Sequence, residues 1–225
     1  MANDLEKEAA ARASLRFVKD GQVVGLGTGS TAEHFIRLLG ELVKNGLRIQ
    51  GIPTSDRSRD LALSLGIPLT TLDKCQEIDV TVDGADEVDP QFRLIKGGGG
   101  AMLREKVVAS ASRQMVVVAD ASKQVPVLGK FPLAVEVIQF ARALVAKKIA
   151  GLGAEVRLRM GDDGKPYVTD ENHHILDCHF GKIPDADGLA RKLNDMPGLV
   201  EHGLFIGMAS TVLLARGSEV VELHR

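Results

Sequence analysis

Lys96, the glycines from Gly97 to Gly100, and Glu105 stand within ten residues of one another in the stretch "LIKGGGGAMLREKVV", residues 94 to 108. Glycine lets a backbone approach a ligand closely, so that N–H groups can point at a developing oxyanion, and the lysine adds a positive charge. Four consecutive glycines are costly, roughly 0.5 to 1 kcal/mol each relative to alanine in a regular element, so the run needs a structural or chemical return. Beyond it the pattern is helical. At 100° per residue Glu105 projects between Ala101 and Ala109, near Ser112, on a small-residue face of a helix that is apolar nearly all round. A carboxylate partly desolvated in that way is suited to act as a base. A structural pairing of Glu105 with Arg104, Lys106 or a distant arginine fits the segment equally well.

A second group of carboxylates lies upstream. "TVDGADEVD" places Asp83, Asp86, Glu87 and Asp89 just after a strand, where ligands bind in open α/β sheets. Such a cluster can hold a divalent metal, act on substrate hydroxyls, or form a solvated turn. Hydroxyl contact is favoured over metal because no histidine accompanies the acids.

The third motif is "GLGTGSTAEHF", a glycine turn after a strand that opens into a helix. A helix start of this kind presents free N–H groups and a positive dipole end to an anion, and Thr28, Ser30 and Thr31 add hydroxyl donors. Ser30 with Glu33 is also a capping box. Capping alone does not require Gly25, Gly27 and Gly29, so a phosphate cradle is the preferred reading. A dinucleotide site is disfavoured, since the spacing is not G-x-G-x-x-G and the second strand ends in "GIPTS" rather than an acid. "VVVADASKQV" ends another strand with Asp120 and Lys123, a phosphate partner or a surface lysine. The pattern "HHILDCHF" puts His173 and His179 on one strand face and His174 and Cys178 on the other, which argues against zinc.

Composition narrows the class. Of the 225 residues 44% are hydrophobic and 26% charged, with a net charge of -2, as in soluble globular proteins. No basic stripe suggests nucleic acid. The two cysteines, Cys75 and Cys178, lack metal-like spacing and fit a reduced compartment. The N-terminal stretch carries neither a signal-peptide core nor an apolar run long enough to span a membrane, so the expectation is a cytoplasmic protein.

The elements that must position these residues follow from periodicity. A helix at 4 to 19, a strand at 22 to 27, a helix from Ser30 capped near Gly46, and further alternation through "RIQGIP", "IDVTVDGAD", "FRLIK" and "QMVVVAD" predict a doubly wound, mostly parallel sheet. From about residue 130 the order becomes β-α-β-β-α-β, the ferredoxin-like pattern, with "GLVEHGLF" as its last strand. The predicted organisation is an α/β Rossmann-like domain formed by 1–129 and 205–225, into which a ferredoxin-like α+β domain, 130–204, is inserted.

Together, "GLGTGST", "DGADEVD", "KGGGGAMLREK" and "ADASKQVPVLGKFPLAVEV" resemble the type A ribose-5-phosphate isomerases, in order through most of the chain and most densely before residue 138. Gly100, where a small residue such as alanine is expected, and Ala134, where proline is common, depart from the pattern. The resemblance implies an aldose–ketose isomerase of the non-oxidative pentose phosphate pathway, interconverting ribose 5-phosphate and ribulose 5-phosphate through an enediolate. It implies Glu105 as the base, Lys96 with the backbone of Gly97, Gly98 and Gly99 as oxyanion stabiliser, and Asp83 as an aid to ring opening. Asp83, Gly84, Ala85 and Asp86 would meet the sugar, Thr28, Gly29, Ser30 and Thr31 would surround the substrate, and Lys7 and Lys123 would join the phosphate. It further implies no metal or cofactor, and a homodimer or homotetramer. Two other classes share the architecture. A sugar-phosphate-sensing regulator would carry an added DNA-binding segment, for which no room is seen ahead of residue 20, and an acyl-CoA transferase would use a glutamate nucleophile.

Overall fold

The computed structural model describes residues 2–225, with side chains from residue 4 onward. The chain begins with α1 (Ala2–Ser14), shorter than its periodicity predicts because Leu15–Phe17 tighten into a 3-10 turn. It continues through β1 (Val23–Leu26), α2 (Ser30–Lys44), β2 (Gln50–Pro53), α3 (Asp56–Ser64) and β3 (Val80–Asp83). Two very short strands, β4 (Glu87–Val88) and β5 (Leu94–Ile95), precede α4 (Met102–Ser110) and β6 (Met115–Asp120). Then come β7 (Leu133–Val137), α5 (Arg142–Ala150), β8 (Glu155–Leu158), β9 (His174–His179), α6 (Ala186–Asn194), β10 (Leu199–His202) and β11 (Leu204–Phe205). The hairpin β12 (Thr211–Arg216) and β13 (Glu219–His224) ends the chain.

Two compact units result. The first comprises residues 1–85, 104–124 and 207–225, and the second 86–103 and 125–206. The first holds a six-stranded sheet in the order β13-β12-β6-β3-β1-β2, parallel except for β13. Its central strands read as near-continuous apolar runs because both faces are covered, and β6 is buried along its whole length. Val24, Leu26, Val80 and Val82 pack with Phe35, Ile36 and Leu39 of α2 and with Ala10 and Ala11 of α1. Each large side chain buried this way contributes about 1.5 to 3 kcal/mol. The alternate face of β1 and β3 meets α4, where a Cβ on Gly25 would fall 1.9 Å from Thr81 Oγ1 and 2.8 Å from Val108. That helix, apolar nearly all round, is not buried all round, since Val107 is 43% exposed.

The second unit holds a four-stranded antiparallel sheet in the order β10-β7-β9-β8, the strand order that the β-α-β-β-α-β pattern predicts. Val135, Val137, Leu176 and Cys178 face α5 and α6 through Val145, Ile149, Ala190 and Leu193. Ala134, Glu136 and Asp177 alternate with these and occupy the other face. A three-stranded sheet, β11-β5-β4, completes the unit. Here the periodicity misleads. "FRLIK" yields only a two-residue strand, which pairs with β4 and β11 and not with the large sheet, and "GLVEHGLF" splits at Gly203, where a Cβ would lie 2.1 Å from the Lys96 carbonyl oxygen. Among the described residues, no helix is long and apolar enough to cross a membrane.

Candidate active site

In the first unit the end of β3 supports the glycine turn after β1. Asp83 is fully buried, and its Oδ1 accepts the N–H of Thr28 at 3.0 Å and of Gly84 at 2.7 Å. A Cβ on Gly27 would come within 2.6 Å of the Asp83 Cα. Gly25 and Gly27 therefore answer to the close approach of β1 and β3, and not to an anion as the spacing suggested. Gly29 differs. It is the N-cap of α2 with φ 104° and ψ 170°, a conformation open in practice to glycine alone, and no side chain caps the helix.

The capping box expected of Ser30 does not form. Ser30 is the first helical residue, the Glu33 N–H donates to the Gly29 carbonyl, and the Glu33 side chain pairs with Arg57. The helix start is left to backbone N–H groups, the arrangement that suits a phosphate. Ser30 is exposed and Thr31 buried. Thr28 turns its hydroxyl into a cluster with Thr54 at 2.7 Å, Ser55 at 2.8 Å and Ser58 at 3.2 Å, and Ser58 Oγ donates to the Gly27 carbonyl at 2.7 Å. These three hydroxyls escaped the sequence reading, although Ser55 carries a visible signal as the N-cap of α3 accepting from the Ser58 N–H.

Glu105 sits in the first turn of α4 with 4% of its surface exposed. Its neighbour Arg104 donates to Asp56 at 2.9 Å. Lys7 lies on α1, and Lys123 ends the 3-10 turn after β6 that Asp120 caps through Ser122. Among the described residues, no hydrogen bond or ion pair joins Lys7 or Lys123 to the turn at Thr28.

Most of the other residues singled out in the sequence belong to the second unit. Lys96 is 2% exposed, its N–H donates to the Gly203 carbonyl at 2.9 Å, and its Nζ lies 5.5 Å from the Phe205 ring centre. A cation over an aromatic face in a desolvated place is attracted by the ring quadrupole. Asp86 Oδ2 accepts the Gly98 N–H at 2.8 Å, so this carboxylate also orients the glycine loop, of which Gly98 and Gly99 are exposed. Glu87 and Asp89 are spoken for. Glu87 accepts the N–H of Gly129 at 2.7 Å and of Phe131 at 2.6 Å, while Asp89 accepts from Gln91 and Arg93 N–H and pairs with the Arg93 guanidinium. Of the four acids in "DGADEVD", then, three anchor backbone of the second unit: Asp86, Glu87 and Asp89.

The histidine strand has a separate life. His173 Nδ1 and Thr169 Oγ1 both lie on Glu136 Oε1, at 3.0 and 2.9 Å, and burial pushes the Glu136 carboxyl above its ordinary value. His174 is buried, and loss of solvent followed by the nearby Arg142 lowers its pKa.

Residues 50–219 match the family model described as ribose 5-phosphate isomerase A, or phosphoriboisomerase A. The chain belongs to this family. A ribose-5-phosphate isomerase A of Parvibaculum lavamentivorans is 54% identical over 230 positions, covering 99% of this chain and 100% of the relative. One from Rhodopseudomonas palustris strain HaA2 is 57% identical over 218 positions, 94% of each chain. The fold agrees with the solved structure of a D-ribose-5-phosphate isomerase in complex with phospho-erythronic acid, at a TM-score of 0.97 and 39% identity over 100% of both chains. It agrees also with a ribose 5-phosphate isomerase A from Methanocaldococcus jannaschii, at 0.93 and 41% over 99% of both. The departure at Gly100 has a local reason within this isomerase fold: φ is 81°, and a Cβ would lie 2.4 Å from the Tyr167 hydroxyl.

Proposed function

We propose that the chain interconverts D-ribose 5-phosphate and D-ribulose 5-phosphate through an enediolate, with Glu105 as the proton-transferring base. Aldose–ketose isomerisation follows from membership of the family. The assignment of steps to residues rests on one observation above the others: Glu105 is a carboxylate withdrawn from water at the start of α4, directly after the loop that carries the buried cation Lys96.

In this reading Glu105 takes the proton from C2 of the open-chain aldose, and negative charge moves to O1. Lys96 and N–H groups of Gly97, Gly98 and Gly99 stabilise that charge where it develops. A proton passes from O2 to O1, and Glu105 returns its proton to C1, which completes the ketose. Asp83 and Asp86, with the intervening Gly84 and Ala85, meet the sugar, and Asp83 aids ring opening. Thr28, Gly29, Ser30 and Thr31 surround the substrate, and Lys7 and Lys123 add charge for the phosphate. The N-terminus of α2, capped by no side chain, supports the phosphate assignment. Phosphate binding far from the reacting carbons supplies energy that places them for reaction.

The same reading includes a cytoplasmic homodimer or homotetramer that needs neither metal nor cofactor. A coupled assay following ribulose 5-phosphate formation from ribose 5-phosphate tests it, with a CoA-exchange assay alongside. Exchange of CoA without isomerisation would give the glutamate to the transferase chemistry instead.

A further inference from the structure

Arg159 directly follows β8, and its guanidinium is divided between two tasks. Nε donates to Asp177 Oδ2 at 3.0 Å and Nη2 to Asp177 Oδ1 at 2.5 Å, a two-toothed pair with side chains only 14% and 19% exposed. The remaining nitrogen, Nη1, donates to the Gly97 carbonyl at 2.8 Å and lies 3.3 Å from the Gly98 carbonyl. Asp177 belongs to β9, and all four residues lie in the second unit. The Tyr167 ring stands beside the guanidinium, 6.0 Å from its central carbon.

A planar trans peptide points its C=O and N–H in opposite directions. Holding the Gly97 carbonyl on Arg159 therefore directs the Gly98 N–H away from it, and that N–H is found on Asp86 Oδ2 at 2.8 Å. Holding the Gly98 carbonyl likewise turns the Gly99 N–H away from the guanidinium, at a residue that is exposed. Glycine backbone is otherwise the most permissive in a chain, so peptide planes in a four-glycine run need such anchors to keep one orientation.

We propose that Arg159, aligned by Asp177, is a positioning residue for the isomerisation: it fixes the peptide planes of Gly97 to Gly99 so that the Gly99 N–H serves the enediolate oxygen beside Lys96. The inference rests on the assignment of this loop to the oxyanion. It distinguishes Arg159 from an ordinary structural ion pair, because its effect falls on the charge that develops during reaction and not on ground-state binding.

Steady-state kinetics and melting curves on Arg159→Met, Arg159→Lys and Asp177→Asn test this, with phospho-erythronic acid as inhibitor. Arg159→Met should lower kcat about 10²-fold, the scale of a misplacement of about 1 Å at reacting groups, while KM for ribose 5-phosphate stays within about threefold. Arg159→Lys keeps a donor for the carbonyls and recovers part of the rate, and Asp177→Asn falls between wild type and Arg159→Met. The inhibitor, whose carboxylate carries charge as the enediolate does, should lose affinity in step with kcat/KM. If Arg159→Met does not fold, the other two variants carry the same comparison. An active wild type with unchanged kcat in all three variants overturns the proposal. So does a common fall in kcat, substrate affinity and melting temperature that Arg159→Lys does not relieve. A wild-type protein that leaves ribose 5-phosphate unchanged removes the underlying isomerase reading, and this proposal with it.

Discussion

Asp83 accepts the Thr28 N–H at 3.0 Å and so ties the end of β3 to the turn that opens α2. The same oxygen accepts the Gly84 N–H, which makes Asp83 a brace for the glycine turn before it is anything else. Asp83→Ala leaves two N–H groups without their acceptor, at a cost of about 1 kcal/mol or more each. Its melting temperature should fall and KM for ribose 5-phosphate should rise. Asp83→Asn keeps an acceptor oxygen and should retain most of the stability, while losing whatever the charge does in ring opening. An alanine variant that melts with the wild type would remove the brace.

Glu105→Gln preserves size and hydrogen bonding but cannot accept a proton. Turnover should drop by about 10² to 10⁴, the range for loss of a general base. Binding should change little, because the phosphate is assigned to other segments, and the adjacent Arg104 keeps its own partner in Asp56. A variant that folds, binds substrate and still turns over near the wild-type rate would move the base to Asp83 or Asp86. A lowered melting temperature with residual chemistry would make Glu105 a structural pair.

Gly29 offers a test of the phosphate turn. A Cβ there meets nothing within 4 Å, so Gly29→Ala acts through the backbone alone, at φ 104°. Strain of about 1 to 3 kcal/mol is expected at such a position. It should appear as a raised KM for ribose 5-phosphate with little effect on free ribose. Equal effects on both sugars would place the phosphate elsewhere.

Turnover should survive exhaustive dialysis against EDTA, since the oxyanion is assigned to Lys96 and backbone N–H groups. Activity lost to the chelator and restored by a divalent ion would convert Asp83 and Asp86 into metal ligands.

Burial, then the neighbouring Asp177, pushes the Cys178 thiol from 9.0 up to about 12. The folded value is the higher one, so the stability linked to this thiol is fully present below pH 9.0 and is lost as pH rises toward about 12. At pH 8 a thiol reagent should label the half-buried Cys75 in the native protein and reach Cys178 only on unfolding. Equal labelling rates for the two would contradict the packing of β9 against the helices.

Much of this protein is local and therefore written in the chain. The apolar run of β6, the stripe Phe35, Leu38 and Leu39 on α2, and the β-α-β-β-α-β order each arise from neighbours in sequence, through periods of two and 3.6 residues. The four motifs were enough to indicate the family, because their residue types and order carry over without knowledge of contacts. Tertiary structure decided what periodicity cannot reach. Asp83, Asp86, Glu87 and Asp89 look alike in "DGADEVD", yet Glu87 anchors Gly129 and Phe131 some forty positions on, and Asp83 braces a turn fifty-five positions back. The alternation of elements predicts β5 in the large sheet, yet it pairs with β4 and β11, because a two-residue strand has too little pattern to reveal its partners. Arg159 gave no signal at all, since its meeting with Gly97 spans sixty-two positions of chain. A hydrogen bond depends on where two groups end up in space, and that is settled only when the sheets have formed their register.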